Sequence, residues 1–406
     1  MASSDHILDS PHILFAAPHR LAFLTGSFNF TALAIWWLLQ IAAMHLIPIG
    51  LPTGILPPAL IHGPAMLYLL FPPFIFGFLM TVFPRWMGYP DLVAREFGPV
   101  SSLLAIGSLI ALCGLFAGAQ AALASGFAVM ALGWGIALVT LAKLILRNRA
   151  DAKPICVHAI SAWVALFAGF TGLLAAAAFF GSSAPYALFL SLRIGVTLFL
   201  LPVFLTVCHR MLPFFAGSVV PDYVRWRPDW LIGALWVLLS LRIAGQIGAS
   251  PTLDAVGNAG LAGVTAMMAW KWWPRAKAPG LLNVLVWGFA WAPLGFTLSA
   301  LRACGLPYGR APDHALLIGL ACSLLVAMVT RVTHGHSGRP LAMSKVAWLA
   351  FWGIQIAAFT RIGAALRDED GRLLLIAAGL FLFAPLPWLI RHMRIYTKRR
   401  KDGKPG

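Results

Sequence analysis

No acidic residue lies in the interior of any long apolar run of this sequence. All thirteen stand at or beyond the run ends: Asp5, Asp9, Asp91, Glu96, Asp151, Asp222, Asp229, Asp254, Asp313, Asp368, Glu369, Asp370 and Asp402. Proton-coupled carriers and pumps rely on an intramembrane carboxylate to take up and release the coupling proton, so this absence argues against that class. Charge of either sign is scarce, 11% of residues against 60% hydrophobic with a mean hydropathy of +0.84, and a soluble globular core is excluded. The expected fold is all-α, a polytopic membrane protein. Paired cysteines are lacking too. Cys113, Cys156, Cys208, Cys304 and Cys322 are odd in number and form neither a CxxC nor a CxxCH motif, so they read as free thiols used as small hydrophobes. Only Cys208, beside His209, is placed to serve as a soft metal ligand. The first twenty residues lack a basic segment leading into an apolar core with a small-residue cleavage site, and no removable signal peptide is expected. The net charge of +17 is dispersed among loops instead of gathered on a face with interleaved aromatics, so nucleic acid is not an expected partner.

At about twenty apolar residues per crossing, twelve transmembrane helices are expected. They fall near 21–46, 60–83, 100–120, 122–146, 154–180, 185–208, 229–249, 254–273, 281–301, 314–331, 345–364 and 373–392. The chain thus divides into a short N-terminal segment (1–19), a transmembrane domain (20–392) and a basic tail (393–406) that is attracted to anionic lipid. Lys and Arg concentrate in the connections after spans two, four, six, eight and ten, which places those loops and both termini in the cytoplasm. Spans two, six and ten end in TVFPRWMG, TVCHRMLPF and TRVTHGHSG, a weak echo of three four-helix units. Pro72-Pro73 and Pro202 are expected to kink spans two and six. Trp residues at span ends, among them Trp86, Trp226, Trp230, Trp272 and Trp273, read as an aromatic belt.

Four arginines, Arg193, Arg242, Arg302 and Arg361, stand towards the extracytoplasmic ends of spans six, seven, nine and eleven, with no carboxylate inside those spans to pair with. An anionic group on a ligand is the natural partner for such guanidinium forks. On the same face His62 opens span two and His314 opens span ten, two imidazoles at similar depth. Together these residues suit a b-type haem, with His62 and His314 as axial ligands, Asp313 as an orienting acceptor and arginines on the propionates. The opposite face carries His336, with His334, His209, His19 and His158, a candidate second metal site for copper or another haem. His6, His12, His45 and His392 read as surface or interface residues.

Several stretches resemble the NnrS proteins, polytopic bacterial membrane proteins associated with haem, copper and the response to nitric oxide. The matching pieces are APHRLAF (17–23), IHGPAML (61–67), FGFLMTVFPRWMG (76–88), HRMLPFFAG (209–217) and DHALLIG through MVTRVTHGHSGRPL (313–341). The family's second-span His-x-His pattern has His62 in its first place and Pro64 in its second, and histidines at 209 and 334 are not general family features. The resemblance implies a bacterial inner-membrane protein that handles nitric oxide, with His62, His314 and His336 as first choices for cofactor ligands. An iron with an open axial position would make it a nitric oxide reductase-like oxidoreductase fed by an electron donor that the sequence does not identify; two tight imidazoles would make it an electron carrier. The competing class is a carrier or exporter whose histidines bind a metal-containing cargo transiently.

Overall fold

Twelve long helices follow one another along the chain, joined by short connections, in a computed structural model that describes residues 12–47, 50–52, 54 and 56–403. His6, Asp5, Asp9 and the last residues of the basic tail lie outside the described residues. The helices are α1 (Pro18–His45), α2 (Pro58–Trp86), α3 (Ala94–Ala117), α4 (Gln120–Ala150), α5 (Val157–Ser182), α6 (Pro185–Val219), α7 (Trp230–Ile247), α8 (Pro251–Trp272), α9 (Gly280–Ala303), α10 (Ala311–His336), α11 (Lys345–Ala365) and α12 (Gly371–Tyr396). No strand occurs among the described residues. Proline opens five of them at the first or second helical position, where its missing N–H is no loss.

Eleven of these helices are long and apolar enough to cross a membrane; α8 is not among them, diluted by Asp254, Asn258 and three glycines, Gly257, Gly260 and Gly263. Parity nonetheless favours a crossing. Arg20, at the start of α1, donates from Nη1 to the carbonyls of Tyr396 (3.1 Å) and Lys398 (2.9 Å) at the end of α12, so both ends of the bundle share one face. An odd number of crossings would separate them, and α8 is the remaining long helix. Helix α6 runs to Val219, well past the expected end at 208, because a backbone helix continues beyond the point where charge marks the hydrocarbon boundary.

Helices α2 and α10 are the most enclosed, with 89% and 72% of their most apolar stretch buried, against 56% or less in the other spanning helices. These two and α6 carry the π-helical segments found among the described residues: Met66–Leu70, Gly195–Leu200 and Ala315–Cys322. They are also the three helices with the shared Thr/Arg ending. Two of the segments sit just before prolines. Pro73 cannot donate to the Leu69 carbonyl, and that carbonyl instead accepts the Asn29 side-chain amide from α1 at 2.7 Å. Within the same segment Tyr68 donates its hydroxyl to the Ser191 carbonyl of α6 at 2.9 Å. In α10, Ser323 accepts the Gln355 amide of α11 at 2.5 Å, and Trp291 of α9 donates to the same Gln355 at 2.6 Å. Polar side chains thus tie the π segment of α2, and the residues that flank those of α6 and α10, to neighbouring helices in a core that is otherwise aromatic and aliphatic. The belt expectation fails for Trp272, whose buried ring packs on Phe289 while its N–H donates to the Trp226 carbonyl at 3.0 Å.

Candidate functional site

A cavity of about 410 Å³ opens where the π segments of α2, α6 and α10 meet. That is the size of sites that enclose cofactor-sized ligands, roughly 300–1,000 Å³. Its lining includes apolar residues, among them Ala34, Leu60, Leu188, Leu192, Leu374 and Phe381, together with His62, Arg193, Arg242, Arg310, Asp313, His314 and Arg361. A π segment has one more residue per turn than the flanking α-helix, which turns the preceding residues about the axis, and such segments often stand at functional sites. His62 lies four residues before the segment of α2, and His314 immediately before that of α10.

The His314 ring donates from Nδ1 to the Arg310 carbonyl at 2.9 Å, because a carbonyl can only accept. Its Nε2 is left with the lone pair, the arrangement seen in imidazoles that bind metals. His62 stacks on Trp37 at 3.8 Å between ring centres, and its Nδ1 is buried without a partner among the described residues. Arg242 is 1% exposed, yet its Nε and Nη1 have no hydrogen-bond partner among the described residues; its guanidinium stands 5.7 Å from the Phe296 ring. Arg361 leaves Nη1 unpartnered in the same way.

Two of the four arginines do find carboxylates, contrary to the expectation from the span interiors. Arg302 pairs with Asp313 at 2.7 Å and Arg361 with Glu369 at 2.8 Å, since acids at the ends of neighbouring helices reach the same depth. Arg302 consequently does not line the cavity, and Asp313 neutralises it instead of orienting His314, whose acceptor is Arg310. Trp37, Thr197, Gln246 and Arg310 line the cavity without having been singled out from the sequence. Thr197 follows Arg193 by four residues and Gln246 follows Arg242 by four, so helical spacing puts each polar pair on one face, a signal readable in advance. Arg310 falls in a connection, where an arginine is unremarkable.

The histidines of the opposite face separate into three pairs. His19 and His336 bring their ring centres to 4.7 Å, and the buried Nδ1 of His19 has no partner among the described residues. Near them Arg85 clasps Asp91 with two bonds of 2.7 and 2.6 Å, and this pairing holds the Asp91 carboxyl below its usual range. His158 and His209 share a 2.8 Å hydrogen bond, and the other nitrogen of His209 donates to the Pro228 carbonyl at 3.2 Å. With both nitrogens engaged, His209 has no lone pair for a metal in this arrangement. His334 pairs with His392, which is fully buried within the bundle and not the surface or interface residue expected. His45 is exposed. Cys208 is buried in α6. No group of three or more His, Cys, Asp or Glu that could hold a metal occurs among the described residues.

No curated relative matches the chain. The family model described as NnrS protein matches residues 13–400, nearly the whole length, and the chain belongs to the NnrS family.

Proposed function

We propose that this multi-pass membrane protein holds a b-type haem in the cavity between α2, α6 and α10 and acts with it in the nitric oxide response of a bacterial inner membrane. Family membership fits a membrane protein of that response. The observation that carries the cofactor is the conjunction, in the lining of one cavity, of a buried arginine with two N–H groups unpartnered among the described residues and two histidines. A buried guanidinium without a partner is costly unless an anion enters with the ligand. The residues fit the group: neutral imidazoles at His62 and His314 for iron, and Arg193, Arg242 and Arg361, joined by Arg310, for the propionates. When bound, haem supplies an iron that takes nitric oxide as ligand and exchanges electrons.

The chain's own part is orientation and exclusion. The Arg310 carbonyl fixes the His314 tautomer, Trp37 holds the His62 ring against one face, and Leu188, Leu192 and Phe381 give the cavity an apolar lining that an apolar gas can enter. His336 with His19 forms the candidate second metal site, for copper or another haem, towards the shared end of the termini, which we assign to the cytoplasm from the loop charges. Turnover as a nitric oxide reductase-like oxidoreductase requires an electron donor, whereas electron carriage requires both imidazoles to stay bound. Purification in mild detergent from haem-replete cells tests the proposal. A Soret band that is lost in His62→Ala and in His314→Ala is the expected result; a colourless wild-type protein overturns it. Nitric oxide consumption with an artificial reductant then separates turnover from binding alone.

A further inference from the structure

Helix α12 ends at Tyr396, which is 2% exposed and shares a 2.7 Å hydrogen bond with the Thr333 hydroxyl of α10. The chain beyond it stays on the bundle. Arg20 donates to the Lys398 carbonyl at 2.9 Å, and the Lys401 N–H donates to the Ser337 carbonyl at 3.2 Å. Arg20 follows His19 and Ser337 follows His336, so residues 397–403 run as a strap across the end where those two rings meet. Within the strap Arg400 turns inward. It holds Asp402 with bonds of 2.9 and 2.7 Å, its side chain is 16% exposed, and its charge reaches both imidazoles. Asp402 in turn lies against Gly338, where a Cβ would come within 2.7 Å of the carboxyl carbon.

This strap is lightly held. Thr397, Lys398, Arg399, Lys401, Asp402 and Gly403 are all exposed, so it buries no apolar side chain, and a segment ordered by a few polar contacts opens at the low end of a protein's local stabilities. Tyr396 is the fixed point about which it can swing. Arg394, Lys398 and Lys401 present exposed cations at this end of α12, and a basic cluster beside a transmembrane helix is drawn to anionic headgroups. We infer that residues 397–403 are a latch over the cytoplasmic mouth of His19 and His336, and that an anionic lipid surface opens it by binding Lys398 and Lys401. Control of metal access rests on the proposed reading of His19 and His336 as a metal site; the latch itself stands without a metal.

The test is the reaction of a water-soluble maleimide with a cysteine placed at Ser337, a residue 5% exposed beneath the strap. The full-length protein, with its five native cysteines replaced, is reconstituted in nanodiscs. Labelling should be slow in phosphatidylcholine and faster by about tenfold or more in phosphatidylglycerol. Raised salt should reverse that gain, because screening weakens the surface attraction. Lys398→Gln combined with Lys401→Gln should stay slow in both lipids. Asp402→Lys, which sets a second cation beside Arg400, should be fast in both, as should a chain ending at Thr397; the former keeps the full length should the latter fail to fold. An Asp402→Lys protein that labels as slowly as the unaltered strap in phosphatidylcholine overturns the latch. Equal labelling of the full-length protein in the two lipids overturns the trigger, and so does a lipid response that survives in the double glutamine variant.

Discussion

The Tyr68 hydroxyl of α2 donates to the Ser191 carbonyl of α6 at 2.9 Å, linking one π segment to the turn that precedes another. Gly172 and Gly195 make room for it: a Cβ at Gly172 would lie 2.2 Å from the Tyr68 oxygen, and one at Gly195 would lie 2.4 Å from that oxygen and 2.3 Å from Leu67. Tyr68→Phe removes the bond with little change of volume while the Ser191 carbonyl keeps the Gly195 N–H, a loss of about 0.5–1.5 kcal/mol. Gly172→Ala should cost about 1–3 kcal/mol through overpacking, but much less when combined with Tyr68→Phe, because the clash is with the hydroxyl. Gly195→Ala should gain no such relief, since Leu67 still obstructs it. Thermal unfolding in detergent of the single and double variants checks all three, and additivity at Gly172 would contradict the packing account.

Expected and observed helix positions agree within a few residues for most spans, because twenty apolar residues bounded by charge is a signal that the bilayer itself enforces. The joint presence of His62, His314, Arg193, Arg242 and Arg361 at one cavity was legible for a related reason: polar groups are rare enough in such helices that their depth alone groups them. Partnership was not legible. Whether Arg302 faces a cavity or Asp313, and whether His334 meets His336 or His392, depends on helix rotation, which the π segments alter and hydropathy does not report. The Asn29 bond to Leu69 illustrates the same gap, since a lone asparagine in an apolar run gives no hint of which helix it will serve.

Helix α8 should cross the bilayer despite its weak hydropathy. In a background with Cys113, Cys156, Cys208, Cys304 and Cys322 replaced, a cysteine introduced at Ser250 should react with a membrane-impermeant maleimide from the extracytoplasmic side only. One at Lys277 should react only after the cytoplasmic face is exposed. Labelling of both positions from one side would mean that α8 does not span and would break the parity set by Arg20 and Tyr396.

Asp91 carries a pH dependence whose sign is fixed by Arg85. Its carboxyl is held below the usual value by hydrogen bonds from that guanidinium, so the folded state binds its proton more weakly than the unfolded chain. The pair's stabilisation is complete above the ordinary carboxylate range, roughly pH 4, and is lost as pH falls through the lowered folded value. The Asp91 side chain is 56% exposed, so water screens the pair and the effect is small. Asp91→Asn should melt slightly below wild type at neutral pH and converge with it in acid. A difference that persists unchanged to pH 3 would assign it to packing instead.

Arg242 and Arg302 should respond to truncation with opposite signs in the absence of a bound anion. Arg242 is enclosed with two donors unpartnered among the described residues and has only unbonded attraction from Asp313 and Asp254, so Arg242→Leu removes a poorly compensated buried charge and should leave the ligand-free protein as stable as wild type or more so. Arg302→Leu leaves Asp313 facing the cavity without its cation and should lower stability by about 1–3 kcal/mol, between the limits for exposed and buried pairs. Haem retention should order them the other way. Loss of Arg242 removes a partner for the anionic groups and should weaken retention by tenfold or more, whereas loss of Arg302 acts only through repulsion from Asp313 and should be repaired by Arg302→Leu combined with Asp313→Asn. Melting curves of cofactor-free protein and haem titrations monitored in the Soret region measure the two orders separately, and an Arg242→Leu protein that holds haem as tightly as wild type would place the propionates elsewhere.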